Sequence, residues 1–186
     1  RRFQDKDVDP FLIEELLYMA SWAPSSNNDQ PWRFVAVKNK EVKNRIFDLF
    51  LERMKDYYQK RGVPLERIKA FWSGHFTAPV FIFAFNQPSD EESEKEFSGI
   101  EKIWNIQSVS NACQNILLAA KAMELGTCWM GALLVIETEI KQILQAPEDA
   151  QLMTVIALGY PAEDPFPRIR KSLSETAYSE KWGNLN

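Results

Sequence analysis

The 186-residue chain predicts an α+β fold: a three-layer sandwich with a small mixed sheet flanked by helices. Three observations carry that expectation. Short apolar runs at residues 33–38, 78–85 and 152–160 are separated by longer segments with helical periodicity. One run, Ala78-Pro79-Val80-Phe81-Ile82-Phe83-Ala84-Phe85, is apolar almost throughout, as suits a strand covered on both faces. Helical segments dominate, so the sheet is narrow. No repeat or break in composition divides the chain, and residues 1–186 read as one domain.

Asp9-Pro10 is a helix start signal. Phe11, Leu12, Leu16, Leu17, Met19 and Ala20 then recur near helical spacing, which predicts a helix over residues 9–21. Residues 33–38 read as a strand. Residues 41–60 form a charged amphipathic helix, with Val42, Ile46, Phe47, Phe50, Leu51 and Met54 on one face. Gly62-Val63-Pro64 breaks it, and a second helix covers residues 65–75. Residues 87–96 are acidic and polar, a candidate lid or a solvated loop. Residues 103–125 carry the longest helical signal. Their apolar positions are not confined to one stripe, so the helix belongs in a core or a subunit interface. Gly126 reads as its C-cap. An extended segment over 127–132, a short helix over 137–144 and a buried strand over 152–160 follow. The tail, rich in proline and charge, is expected to hold a short helix over 174–182.

A net charge of -4 argues against a nucleic-acid surface. No apolar run reaches the roughly 18 residues needed to span a membrane. The chain opens Arg1-Arg2-Phe3 without a methionine, and no signal peptide is read there. Cys113 and Cys128 belong to no metal-binding pattern and read as reduced core residues of a cytoplasmic protein. With His75 as the single histidine, neither a Ser-His-Asp triad nor a multi-histidine metal site is readily built. No P-loop, Gly-x-Gly-x-x-Gly or Gly-x-Ser-x-Gly motif occurs. No catalytic side chain is assigned; an enzymatic chemistry would fall to a bound organic cofactor.

Three stretches could bind one. The loop Ala23-Pro24-Ser25-Ser26-Asn27-Asn28-Asp29-Gln30-Pro31-Trp32 carries more hydrogen-bonding groups than a connection needs. Arg168 and Arg170, two apart in an extended tail, point to one side and suit a phosphate. Arg1 and Arg2 open the chain. In Trp129-Met130-Gly131, the glycine allows a flat ligand to approach the backbone. Each also has an ordinary reading: a solvated loop, surface arginines, a core strand with a bulge.

Taken together and in order, these stretches resemble the nitroreductase family of FMN-dependent oxidoreductases. The resemblance rests on Arg1-Arg2-Phe3-Gln4-Asp5-Lys6-Asp7-Val8, Ala23-Pro24-Ser25-Ser26 with Asn28 and Gln30-Pro31-Trp32, Leu125-Gly126-Thr127-Cys128-Trp129-Met130-Gly131, Ala157-Leu158-Gly159-Tyr160-Pro161 and Arg168-Ile169-Arg170-Lys171. It implies an intertwined homodimer with two FMN molecules at the interface, each touched by both chains, and a dimer-facing helix over 103–123. Arg1, with Arg2 beside it, is implied near the flavin's polar side. Arg168 and Arg170 are implied at its phosphate. Pro24, Ser25, Ser26 and Asn28 would reach the partner's flavin. Met130 and Gly131, adjoined by Trp129, would turn a backbone N–H toward flavin N5. NADH or NADPH would reduce the flavin, and a nitroaromatic, quinone or similar acceptor would reoxidise it. Two departures stand out. The first Arg and the Ser of the family's N-terminal pattern would precede residue 1. The Asn and Lys that some members place before the strand at 79–85 have no counterpart at Phe71 and Gly74. The iodotyrosine deiodinase branch is an alternative. Its clamp of a Glu, a Tyr four residues later and a downstream Lys meets Arg53 at the Glu position and Tyr57 at the Tyr position, with no convincing Lys. A flavin-binding module without turnover is the other alternative.

Overall fold

The computed structural model describes residues 1–87 and 98–184. Beyond Gln87, the acidic stretch read as a candidate lid lies outside them. Asp9 caps α1 (Pro10–Ser21), its carboxylate accepting the Phe11 N–H at 2.9 Å. A polar loop leads to β1 (Trp32–Val37). Asn39 then caps α2 (Lys40–Gln59) by accepting the N–H groups of Glu41 and Val42. Next come α3 (Leu65–Ser73), a 3-10 turn over His75–Thr77, β2 (Val80–Asn86) and the long α4 (Ser98–Ala122). β3 (Gly126–Trp129), a 3-10 helix over Gly131–Ile136, α5 (Glu137–Leu144), β4 (Gln151–Gly159) and α6 (Leu173–Thr176) complete the order.

The sheet order is β1-β2-β4-β3, and every neighbouring pair is antiparallel. A mixed sheet was expected from strands joined by single helices. The connection β2-α4-β3 does return the chain in the same direction. β4, however, inserts between those two strands, so no parallel pair comes into contact.

β2 shows how the layers form. Its six residues 80–85 are buried on both faces, as the apolar run predicts. Val80, Ile82 and Ala84 join Ile13, Leu16, Val109, Ala112 and Ile116 under α1 and α4. Phe81, Phe83 and Phe85 turn the other way, to Ile46, Phe50, Leu133 and Ile140 under α2 and α5. Burial of this area is the main term holding the sandwich together. One face of α4 therefore lies in the core. Ile103, Ile106 and Leu118 on the same helix stay exposed, beside an α1 that exposes Phe11, Tyr18 and Trp22.

Three local expectations change. Helix α4 is closed not by Gly126 but by Glu124, whose φ is 59°. Leu125 N–H reaches Ala120 O at 2.8 Å and Glu124 N–H reaches Lys121 O at 3.2 Å, the paired bonds of a Schellman closure. Buried Leu125 supplies its apolar contact. Gly126 is instead the first residue of β3, where an added Cβ would crowd Pro161 Cβ at 3.3 Å. Second, the tail helix is one turn, held by a capping box between Ser172 and Glu175. Third, Cys113 is buried as read, but Cys128 is only half-buried.

A left-handed glutamate costs about 1 kcal/mol relative to glycine. Glu124→Gly should therefore raise the urea midpoint of unfolding by a corresponding amount, with no change in the denaturant slope.

Candidate active site

The N-terminal segment docks at one end of the sheet. Gln4 N–H donates to Tyr160 O at 2.8 Å, Ala162 N–H to Arg2 O at 3.1 Å and Gln4 Nε2 to Pro161 O at 2.8 Å. On its other side, Phe3 N–H donates to Thr77 Oγ1 at 3.1 Å, and that hydroxyl donates to Gly74 O at 2.7 Å. The buried Phe3 ring thus anchors Arg1 and Arg2, whose side chains are exposed. The Arg1 backbone O would stand 3.1 Å from a Cβ at Gly74.

Arg1 brings positive charge to His75 and Cys128. Burial, reinforced by the Arg1 charge, lowers the pKa of His75 below the usual histidine range, so the imidazole is neutral at pH 7. Burial raises the Cys128 thiol, and nearby Arg1 opposes that rise. The Cys128 thiol is therefore protonated near pH 7. The two lie far apart in sequence, and no spacing rule links them; only the docking of residue 1 does.

The segment after β3 has its polar groups unevenly committed. Met130 N–H completes the ladder to Val155 O at 2.8 Å, and its side chain is 2% exposed. Met130 thus serves the core. Gly131 opens the following 3-10 helix, where the first N–H groups have no partner within the helix. A Cβ at Gly131 would meet only Trp129, its Nε1 at 3.6 Å, an ordinary contact. Neither packing nor backbone angle demands glycine here, and its Cα faces open space apart from Trp129. Trp129 is exposed at 41% beside it.

The polar loop is a built structure. Ser25 Oγ accepts the Gln30 N–H at 3.1 Å, and Ser25 O and Ser26 O accept the N–H groups of Asn28 and Asp29. Asn27, Asn28 and Gln30 all have left-handed φ, near 50° to 56°. That conformation is mild for Asn and costly for Gln, so the loop holds a shape against its local preference. Among the described residues, the Ser26 hydroxyl and the Asn28 amide form no hydrogen bond. Pro24, Ser25 and Ser26 face Trp104, Gln107, Ser108 and Asn111 of α4 across a groove of about 210 Å3.

The chain does not bring these pieces together. The loop precedes β1 at one sheet edge, and Trp129 to Gly131 leave β3 at the other. β1 and β3 are three strand spacings apart, roughly 14 Å. Strand register also puts Trp32, next to the loop, at the end of the sheet opposite Gly159 and the N-terminal arginines. Arg168 and Arg170 lie on a tail exposed from residue 162 through 178, with Ile169 between them 99% exposed.

Comparison with known proteins bears on this arrangement. A protein of Methanothermobacter thermautotrophicus, provisionally named NADH dehydrogenase/NAD(P)H nitroreductase, is 32% identical over 170 residues, 90% of this chain and 75% of its own. Mouse iodotyrosine deiodinase 1 is 29% identical over 162 residues, 82% of this chain but 55% of the enzyme. Among solved structures, a BluB-like flavoprotein from Clostridium difficile superposes with a TM-score of 0.79 at 23% identity, covering 97% of this chain and 93% of that one. The NADPH:FMN oxidoreductase from Vibrio harveyi, complexed with NAD+, gives 0.75 at 18% identity, over 100% of this chain and 74% of that one. At these identities the two structures show a shared fold. The nitroreductase family model matches residues 1–160, a span that takes in the arginine corner, the polar loop and Gly131 and stops short of the tail arginines. With that match over most of its length, the chain belongs to the nitroreductase family.

Proposed function

We propose that the protein is an FMN-dependent oxidoreductase that passes electrons from NADH or NADPH to nitroaromatic, quinone or similar acceptors, working as a homodimer. The observation that carries this reading is the family match across the two opposite corners described above. Bound FMN would supply the redox chemistry, accepting a hydride from NAD(P)H and returning electrons to an acceptor in a second half-reaction.

The protein's own residues fit such a group in kind. The exposed Arg1 guanidinium, with Arg2 beside it, offers positive charge where a reduced flavin would carry negative charge. Gly131 offers a backbone N–H without a partner among the described residues and no side chain to block a flat ring. This narrows the Met130-Gly131 expectation to the glycine, because Met130 N–H is already bonded. Trp129 would wall the site. Pro24, Ser25, Ser26 and Asn28 would reach the flavin of a second copy, since their own chain holds them at the far edge of the sheet. The exposed apolar residues of α1 and α4 support that second copy, as large exposed apolar patches mark interfaces. The tail exposes Phe166, Ile169, Leu173 and Trp182 and would likewise need a partner surface, bringing Arg168 and Arg170 to the phosphate.

The deiodinase reading draws support from the mouse relative. Two contacts weigh against it. At the position of the clamp's Glu, Arg53 is engaged with Glu139 at 2.6 Å. Arg61 covers the Tyr57 ring, 3.7 Å from its centroid. A basic group there cannot hold the ammonium of an amino acid.

Two experiments test the proposal. Anaerobic mixing of the FMN-loaded protein with NADH or NADPH should bleach the flavin absorbance, and a quinone or nitroaromatic should restore it. A flavin that stays oxidised under excess of both nucleotides would leave only a binding module. Arg170→Ala should weaken FMN retention on dialysis by about 2 kcal/mol, roughly thirtyfold, for the loss of a charge-assisted hydrogen bond. Unchanged retention would refute the phosphate role.

A further inference from the structure

A second polar cavity lies between the N-terminal segment, the start of α2 and the approach to β2. It measures about 500 Å3 and is walled by Phe3, Phe76, Thr77 and Pro79. Four lysines line it, Lys6, Lys38, Lys40 and Lys43, against two carboxylates, Asp5 and Asp7. In a chain of net charge -4, this cavity has a surplus of two positive charges.

Some of that charge is already engaged. Lys38 Nζ pairs with Asp7 at 2.6 Å and also reaches Val8 O at 3.3 Å. Lys6 stacks over the Tyr160 ring, 3.7 Å from its centroid. Lys43 is different. It is 6% exposed, and its ammonium donates to Ala78 O and Pro79 O, both at 2.7 Å. Those acceptors leave one of its three N–H groups without a partner among the described residues. Carbonyl oxygens carry no full charge, and Asp7, whose charge also acts on Lys43, is hydrogen-bonded to Lys38.

The two lysines also stand at the start of a helix, on either side of Glu41 in its first turn. Lys40 is the first residue of α2 and Lys43 lies one turn on. The start of a helix carries partial positive charge and favours acidic residues. Burial, reinforced by Lys40 and opposed by Asp7, lowers the Lys43 pKa below the usual lysine range. Glu41 and Asp7 offset part of this charge, and the third Lys43 N–H still has no acceptor among the described residues.

We infer that this cavity binds a phosphate-class anion through Lys43 and Lys40, with Lys6 at its rim. The site uses none of the residues read above as flavin contacts, so it stands or falls separately from that reading. The ligand is a phosphate oxyanion, either free or carried by a nucleotide.

The test is a 31P NMR titration of the FMN-saturated protein, with ionic strength held by chloride and probes of inorganic phosphate and adenosine 2′-phosphate. FMN saturation keeps the flavin's own phosphate site filled. Saturable binding of either probe is expected, weakened at least fivefold in Lys40→Gln and further in the double variant with Lys6→Gln. Both side chains are exposed, so folding should survive, which circular dichroism checks; Lys43 is spared because it holds two buried carbonyls. Similar affinity for both probes assigns the site to the free anion. Tighter binding of adenosine 2′-phosphate assigns it to a nucleotide. No saturable binding of either probe, or equal affinity in the wild type and the double variant, would overturn the inference.

Discussion

The arginine corner depends on the close approach of three segments at Gly159. A Cβ on that residue would lie 2.5 Å from Pro79 Cδ and 3.1 Å from Phe3 Cδ1. Pro79 leads into the central strand, and Phe3 carries the N-terminal segment. A glycine at the end of β4 lets both pack against one backbone. The hydrogen bonds from Gln4 to Tyr160 and from Phe3 to Thr77 then fix residue 1 beside His75 and Cys128. A side chain at position 159 would force the segment outward, and the charge of Arg1 would leave the corner with it.

The sheet imposes the second constraint. Its order separates the polar loop from the Trp129-to-Gly131 segment by the full width of four strands. A rigid sandwich with both faces filled cannot fold those edges together. On the function proposed above, the flavin would find them on two copies. The exposed apolar faces of α1 and α4, with the polar loop set against α4, provide a surface on which that pairing can form.

Much of this was legible in the residues. Alternating burial of Val80 to Phe85 follows from an uninterrupted apolar run, and α1, α2 and β4 follow from capping signals and periodicity. The boundary at residue 124 was not legible, because a left-handed glutamate at a helix end contradicts the usual preference for glycine, and Gly126 stood two residues on as a decoy. The antiparallel sheet was missed because β4 enters between strands that precede it in sequence. Of the candidate site, the arginines, the loop and Gly131 could be named from local motifs. The neighbours of Arg1 could not, since His75 and Cys128 reach it only through tertiary docking. The commitment of Met130 N–H to Val155 likewise depends on register, which local spacing does not encode.

On the function proposed above, one complete flavin site is assembled from opposite corners of two chains. Mixed dimers test it most directly. One chain would carry Arg1→Glu and the other Ser26→Glu, with separate tags to purify the heterodimer from co-expression. Each variant alone should hold little FMN, because both sites of its homodimer are damaged. The mixed dimer concentrates both lesions in one site and leaves the other intact, so it should regain one flavin per dimer. A mixed dimer as empty as its parents, or a monomeric fraction of the wild type that keeps FMN fully, would contradict the account.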